Sequence, residues 1–201
     1  TLRRRCVELQ DPALCTQSQE EYGFAALAYR GYITHYPNNP QAYELNYNLA
    51  DALYWSENYE QAATEYALVR DSNLDDKYLS VSARLAVESI KRLVEKQSAG
   101  GGLVVRTEPP APAGTPAVVT PIELPEPLQR LARARELYLA RVDDAHDVEK
   151  VRDSYFYNNS LLLYLYGYWD LARARFFVEW TDHCAGPRAG ETGQTAWLNM
   201  R

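Results

Sequence analysis

Three cysteines, Cys6, Cys15 and Cys184, are the residues whose chemistry depends most on their spacing. They form no C-x-x-C motif, and no histidine lies at a spacing from them that is typical of a zinc site. Cys6 and Cys15 flank Asp11-Pro12, where a helical hairpin would turn, so they could form a disulfide and indicate an oxidising compartment such as a periplasm. Three buried or partly buried thiols are the alternative, so the cysteines alone do not settle the location.

Motifs that support catalysis are missing from the sequence. It contains no glycine-rich phosphate loop, no Gly-x-Ser-x-Gly and no His-Glu-x-x-His. Its three histidines stand singly, and the pairs Asp75-Asp76 and Asp143-Asp144 precede helical segments, where acidic residues are favoured by the helix dipole. We therefore expect a protein that is not an enzyme and that has no cofactor and no metal site.

Two residues recur at a fixed distance that points to the elements of the fold. Ala28 and Tyr32 are repeated 34 residues later as Ala62 and Tyr66, within segments that both have the pattern of amphipathic helices. A period of 34 residues is typical of helical repeat arrays. We expect the aromatic residues at this position to lie in the core: Tyr32, Tyr66, Tyr138 and Phe176.

The unit that starts at Tyr43 carries the clearest pattern. Ala50 and Ala62 fall on its eighth and twentieth positions, where small residues let two helices approach closely, and Tyr66 falls on the aromatic twenty-fourth. In this order the unit resembles a tetratricopeptide repeat, although Glu57 stands where that family favours glycine. The resemblance implies an all-α, right-handed solenoid of stacked antiparallel helix pairs.

A second set of matches runs from Asn159 to Phe176, with Gly167 at the turn position. Asn159 is polar where leucine is usual, so the register there could differ by one residue. Further on, Trp197 and Met200 are spaced like the opening of another first helix, and the chain ends directly after it. We expect a fragment of a longer protein.

Residues 98–126 interrupt the helical pattern. From Ser98 to Pro127 the chain has seven of its eleven prolines, which predicts an extended, mobile linker with polyproline II character. We expect repeats over 1–97 and over 127–201, and we favour pairing of helices 77–97 and 127–142 in one continuous solenoid. Two short arrays that flex about the linker are the alternative.

The composition limits the partners. The chain has 21 basic and 27 acidic residues among 201, and a net charge of -6 disfavours nucleic acid, whose phosphates need clustered Lys and Arg. No window approaches the roughly 18 continuous apolar residues of a membrane-spanning helix. Any association with a membrane would then occur through partners.

The family resemblance places a binding groove on the concave face, lined by the first helix of each pair. An aromatic groove with few charges suits an apolar or amphipathic peptide or helix of another protein. Most tyrosines in a chain with 16 of them will nevertheless be packing residues, and those around Tyr164 could form one packed turn. The predicted groove residues are Glu44, Tyr47, Asp51, Tyr54, Trp55, Tyr78, Tyr157, Leu161 and Tyr164.

The function expected from this groove is that of a scaffold or adaptor within a larger assembly. The amino-acid sequences of the repeats resemble those of envelope-associated repeat proteins of gliding bacteria. This resemblance implies a periplasmic or outer-membrane-associated motility or secretion complex. An alternative is a carbohydrate-binding module, in which Tyr47, Tyr54 and Trp55 stack on sugars of a cell-wall polymer. A helical regulatory domain of a larger enzyme is a third hypothesis.

Overall fold

The computed structural model of the protein describes residues 1–72, 74–114 and 118–182. Within these ranges the fold is all-α, and the isolated bridge between Ala113 and Val118 is the only β pairing. Three residues named above, Cys184, Trp197 and Met200, lie outside the described ranges. The helices are α1 (Leu2–Leu9), α2 (Pro12–His35), α3 (Ala42–Trp55), α4 (Tyr59–Asp71), α5 (Leu79–Ala99), α6 (Glu126–Arg141), α7 (Arg152–Leu165) and α8 (Trp169–Trp180).

The chain divides into two compact units, Thr1–Glu95 and Lys96–Arg201. In the first unit α1 packs on α2, α2 on α3 and α3 on α4, and in the second α6 packs on α7 and α7 on α8. Helices α1 to α4 and helices α6 to α8 thus each pack on their neighbours in sequence, which is the order of packing in helical repeats. Among the described helices, none combines the length and the apolar character needed to cross a bilayer.

The N-terminal hairpin is held by a cap and a disulfide. The Asp11 carboxylate accepts a hydrogen bond from the backbone N–H of Ala13 at 2.9 Å, and Pro12 opens α2 without needing an N–H partner. Cys6 and Cys15 are bonded through their sulfur atoms, with their Cα atoms 5.0 Å apart. The structure therefore contains the pairing that the hairpin pattern allowed.

Small side chains allow the close packing in the first unit. Ala50 and Ala62 have no exposed surface, and Tyr66 beside them is 1% exposed. Tyr32 was expected at the equivalent core position, and that expectation is wrong. Its ring is 44% exposed near the end of α2, and its hydroxyl accepts a hydrogen bond from the Asn39 amide at 2.9 Å.

The second unit uses the same types of residue. Tyr138 of α6 is 1% exposed, Ala172 of α8 is 1% exposed, and Phe176 is fully buried. The core positions predicted for these two aromatic residues are confirmed. Two predicted helices also form with slightly different bounds. The helix predicted over 77–97 is observed as Leu79–Ala99, and the helix predicted over 127–142 is observed as Glu126–Arg141.

The α3–α4 turn and the α7–α8 turn close with the same hydrogen bonds. The N–H of Asn58 donates to the carbonyl of Leu53 at 2.9 Å, and the N–H of Tyr168 donates to that of Leu163, also at 2.9 Å. The middle residues, Glu57 and Gly167, have positive φ angles of 61° and 83°. Because glycine takes this left-handed backbone without steric cost and glutamate does not, Glu57 is the less favourable residue.

The described residues of the proline-rich segment, 98–114 and 118–126, belong to the second unit, and several of them pack on the α7–α8 turn. The N–H of Ile122 donates to the carbonyl of Tyr166 at 2.9 Å, and Arg106 Nε donates to that of Leu165 at 3.1 Å. A Cβ atom on Gly167 would lie 2.8 Å from Cγ of Pro110, so this contact requires glycine. Specific contacts thus join this segment to the turn, while its composition predicts an extended, mobile linker.

Candidate functional site

Four tyrosines of the first unit form a cluster that joins α3, α4 and the start of α5. The rings of Tyr47 and Tyr78 are stacked, with centroids 4.2 Å apart and planes at 7°. Tyr43 lies 5.5 Å from Tyr78, and Tyr66 meets the ring of Tyr47 edge-on at 6.1 Å. This tyrosine cluster (Tyr43, Tyr47, Tyr66 and Tyr78) brings together two predicted groove residues, Tyr47 and Tyr78.

The half-buried carboxylate of Asp51 lies at the inner side of the cluster. Tyr66 donates its hydroxyl hydrogen to Asp51, and this carboxyl also interacts with the Tyr47 hydroxyl. Burial raises the pKa of Asp51, although both hydroxyls oppose that shift. Burial and the nearby Asp51 charge raise the pKa of Tyr47 to about 12, and the same causes raise that of Tyr66. Both tyrosines are therefore neutral hydrogen-bond donors at neutral pH.

Charged side chains form the outer rim of the cluster. Tyr78 donates its hydroxyl hydrogen to Glu44 at 3.2 Å, and Lys77 Nζ lies 3.8 Å from the same carboxylate. The Lys77 ammonium also lies 4.7 Å from the centroid of the Tyr78 ring, a cation–π arrangement. Glu44 and Lys77 are each more than half exposed, so this rim is available to a partner.

An open cleft adjoins this rim. Its volume is about 600 Å³, and it is lined by the turn before α3 and the turn before α5, together with Tyr43 and Tyr78. The side chains of Asn38, Asn39 and Gln41 add amide groups to one wall. The cleft thus combines aromatic surface with hydrogen-bonding groups and both signs of charge.

Two predicted groove residues do not face an open groove. Tyr54 is only 7% exposed, and its ring packs edge-on against Trp55 at 4.8 Å and Tyr59 at 5.4 Å. The face of Trp55 is covered by the Arg3 guanidinium, whose carbon lies 3.2 Å from the ring centroid. Helix α1 and the neighbouring aromatic rings enclose this end of α3, so Tyr54, which was predicted as a groove residue, is buried in the structure.

The predicted residues of the second unit lie against its own core. Tyr157 packs on Phe176 with ring centroids 5.7 Å apart, and Leu161 contacts the same buried cluster. Tyr164 stacks on Trp169 at 6.1 Å across the α7–α8 turn. All three predicted residues are half-buried, and for Tyr164 the packed-turn alternative matches the structure.

A polar network between α6, α7 and α8 was missed by the sequence analysis. Asn159 is 4% exposed, and its amide donates to the Ala132 carbonyl at 2.9 Å and to Glu136 at 2.8 Å. Arg175 pairs with Glu136 at 2.7 Å and lies over the ring of Phe156. The sequence signal for this network is Asn159, a polar residue at a position where tetratricopeptide repeats, which this unit resembles, usually have leucine.

The described residues contain no group of three or more His, Cys, Asp or Glu side chains arranged to hold a metal ion. In comparisons with known proteins, no family model matches the sequence, and neither a curated protein nor a solved structure matches it significantly.

Proposed function

We propose that the chain is a non-catalytic interaction scaffold of tetratricopeptide-like helix pairs. Its binding surface is the outer side of the tyrosine cluster with the adjoining cleft. The single observation that carries the proposal is the Tyr47–Tyr78 stack with the exposed pair Glu44 and Lys77 at its edge. Large rigid aromatic surfaces beside a charged rim are typical of surfaces that bind protein segments.

The likeness of the two helix pairs supports the tetratricopeptide assignment. The α3–α4 and α7–α8 pairs have the same turn hydrogen bonds and the same positive φ angle in the turn. Each pair also buries a small residue followed four positions later by an aromatic ring, Ala62 with Tyr66 and Ala172 with Phe176. Two units built alike in one chain are what a repeat architecture requires.

The partner that suits this surface is an amphipathic segment of another protein. Its apolar side would lie on the Tyr78 ring, while its polar groups would pair with Glu44, Lys77 and the amides of the cleft wall. The carbohydrate alternative is less well supported, because stacking on sugars needs free ring faces. Tyr78 covers a face of Tyr47, Arg3 covers Trp55, and Tyr54 is buried.

The Cys6–Cys15 disulfide supports a location in an oxidising compartment such as a periplasm. An envelope assembly of the motility or secretion type is the setting that the repeat resemblance implies. The disulfide favours this compartment over the cytoplasm, where thiols are kept reduced.

Cross-linking followed by a binding measurement tests the proposal. The chain is cross-linked in extract of its native cells, captured proteins are identified, and their segments are titrated against purified protein by fluorescence anisotropy. Tyr78→Ala and Glu44→Lys should each weaken binding of the captured segment at least tenfold. Tyr36→Ala is the matched control, because that ring is 58% exposed outside the cleft.

Equal binding by all variants would exclude the tyrosine cluster as the site. If no protein segment binds but insoluble cell-wall material retains the unmodified chain, the carbohydrate alternative replaces the scaffold.

A further inference from the structure

Helix α2 exposes large apolar side chains at its middle. Phe24 is 71% exposed and Leu27 is 69% exposed, although they lie in the interior of a 24-residue helix. The opposite side of α2 packs on α3 through Ala26, Tyr29 and Ile33. An open groove of about 460 Å³, with apolar walls for the most part, runs beside Phe24 and Leu27.

The same helix contains two glycines that its own fold does not require. A Cβ atom added to Gly23 or to Gly31 would meet no atom within 4 Å. Glycine in a helix interior is less favourable than alanine because of its backbone entropy. A glycine with open space beside it suits the close approach of a group from outside the chain.

Phe24, Leu27 and Gly31 share one stripe of the helix. Positions spaced by three and four residues lie on the same side of an α-helix, so one stripe contains both the apolar residues and the glycine. We name this stripe the outer face of α2, and it consists of Glu20, Phe24, Leu27, Ala28, Gly31 and His35, all of which are exposed.

We propose that the outer face of α2 is the interface of a symmetric homodimer, with α2 of a second copy lying antiparallel against it. With the two-fold axis between Leu27 and Ala28, each large side chain meets a small residue of the other copy. Phe24 then lies over Gly31 of the second copy, and Leu27 over its Ala28. A two-fold interface uses the same patch on both copies, so each contact occurs twice.

Charge also fits this register. Glu20 lies four residues before Phe24, and His35 lies four residues after Gly31. The antiparallel copy therefore places the Glu20 carboxylate against a histidine ring at both ends of the contact. His35 Nδ1 donates to the Gly31 carbonyl at 2.8 Å, so Nε2 is the ring nitrogen that remains for an interaction with Glu20 of the second copy.

The self-complementary order identifies a second copy as the occupant. Each large side chain has a small residue at the same distance on the other side of the centre of the stripe, and Glu20 has His35 at the equivalent position. A helix from an unrelated protein would supply its own complementary residues and would not require this symmetry within α2.

Sedimentation velocity of the full chain at micromolar concentrations tests the proposal. The unmodified chain should sediment with twice the mass of one chain, and Phe24→Glu should sediment as a monomer. Gly31→Leu should also be monomeric, because its side chain fills the space that Phe24 of the second copy needs. Its helix content by circular dichroism should not fall, since leucine is the better helix former and the position is open.

Two further variants complete the design. Leu68→Glu replaces an apolar side chain of α4 that is 57% exposed and is not among the residues of the cleft, so it should remain dimeric. Glu20→Lys should raise the dimer dissociation constant at least tenfold, and adding His35→Glu should restore it. A monomer at all concentrations, or an unchanged dimer in Phe24→Glu and Gly31→Leu, would overturn the proposal and leave this face to another protein.

Discussion

Asn159 of α7 donates an amide hydrogen to the backbone carbonyl of Ala132 in α6, with 2.9 Å between nitrogen and oxygen. The second hydrogen of the same amide goes to Glu136 at 2.8 Å. One buried side chain therefore connects two helices where the resembling family places an apolar contact.

Replacing Asn159 by leucine, the family's usual residue, should destabilise the second unit. The leucine side chain would leave the Ala132 carbonyl and part of Glu136 without these partners, at a cost of about 2 kcal/mol. Urea unfolding followed by circular dichroism measures the change in the free energy of unfolding. A variant as stable as the unmodified protein would show that apolar packing compensates for the lost hydrogen bonds.

Gly167→Ala should lower the free energy of unfolding more than Gly101→Ala does, although both glycines have a positive φ angle. The new Cβ would lie 2.8 Å from Cγ of Pro110, in addition to the strain of a positive φ angle. Gly101 is the matched control, because its φ is 73° and a Cβ there would meet nothing within 4 Å. Strain alone should cost about 1 kcal/mol at Gly101, so Gly167→Ala should exceed this.

Hydrogen exchange provides a local measurement for the same pair. The Gly167→Ala variant should lose protection at the N–H of Ile122, which donates to Tyr166 in the docked segment. Unchanged protection of Ile122 would mean that the proline-rich segment adapts to the added methyl group without leaving the turn.

Reduction of the Cys6–Cys15 disulfide should loosen the N-terminal hairpin. The closed loop is short, with a sequence separation of 9, and the chain-entropy model gives about 2.5 kcal/mol for a loop of this size. Amide exchange in α1 should therefore increase under dithiothreitol, and the double variant Cys6→Ser, Cys15→Ser should behave alike without reductant. If neither reduction nor the double variant increases amide exchange in α1, helix packing alone is sufficient to hold the hairpin.

Tyr47→Phe should reduce the loss of stability at alkaline pH. Burial and Asp51 raise the pKa of Tyr47 from 10.0 to about 12, so between these values the unfolded chain releases the proton that the folded chain keeps. Stability from this group is fully present below pH 10 and falls as the pH rises toward 12. Tyr66 acts in the same direction, so phenylalanine at position 47 should weaken the slope without abolishing it.

Urea midpoints at about pH 8, 10 and 11 measure this effect, with the lowest pH as the internal reference. Parallel pH profiles for the unmodified protein and the Tyr47→Phe variant would contradict the assigned burial of that hydroxyl.

The sequence by itself determined the helices and the residues that bring them together. The buried side of a helix is indicated by small residues with apolar residues at helical spacing around them. Ala50, Ala62 and Ala172 are examples. Asp11-Pro12 likewise indicated the turn of the N-terminal hairpin, because such a turn signal depends on neighbouring residues, and the structure begins α2 there. Such features depend on a few neighbouring residues, so they can be recognised in the sequence without a structure.

Only the tertiary structure decided which aromatic residues are accessible and what the proline-rich segment does. Tyr54 and Trp55 have the spacing of groove residues, but the Tyr59 ring packs on Tyr54 across the α3–α4 turn, and Arg3, which is distant in sequence, covers Trp55. Composition similarly predicts that residues 98–126 form no helix, whereas their contact with Gly167 depends on a glycine far along the chain. Periodicity specifies the buried side of each helix, and the contacts between distant segments determine which of the remaining surface is open to a partner.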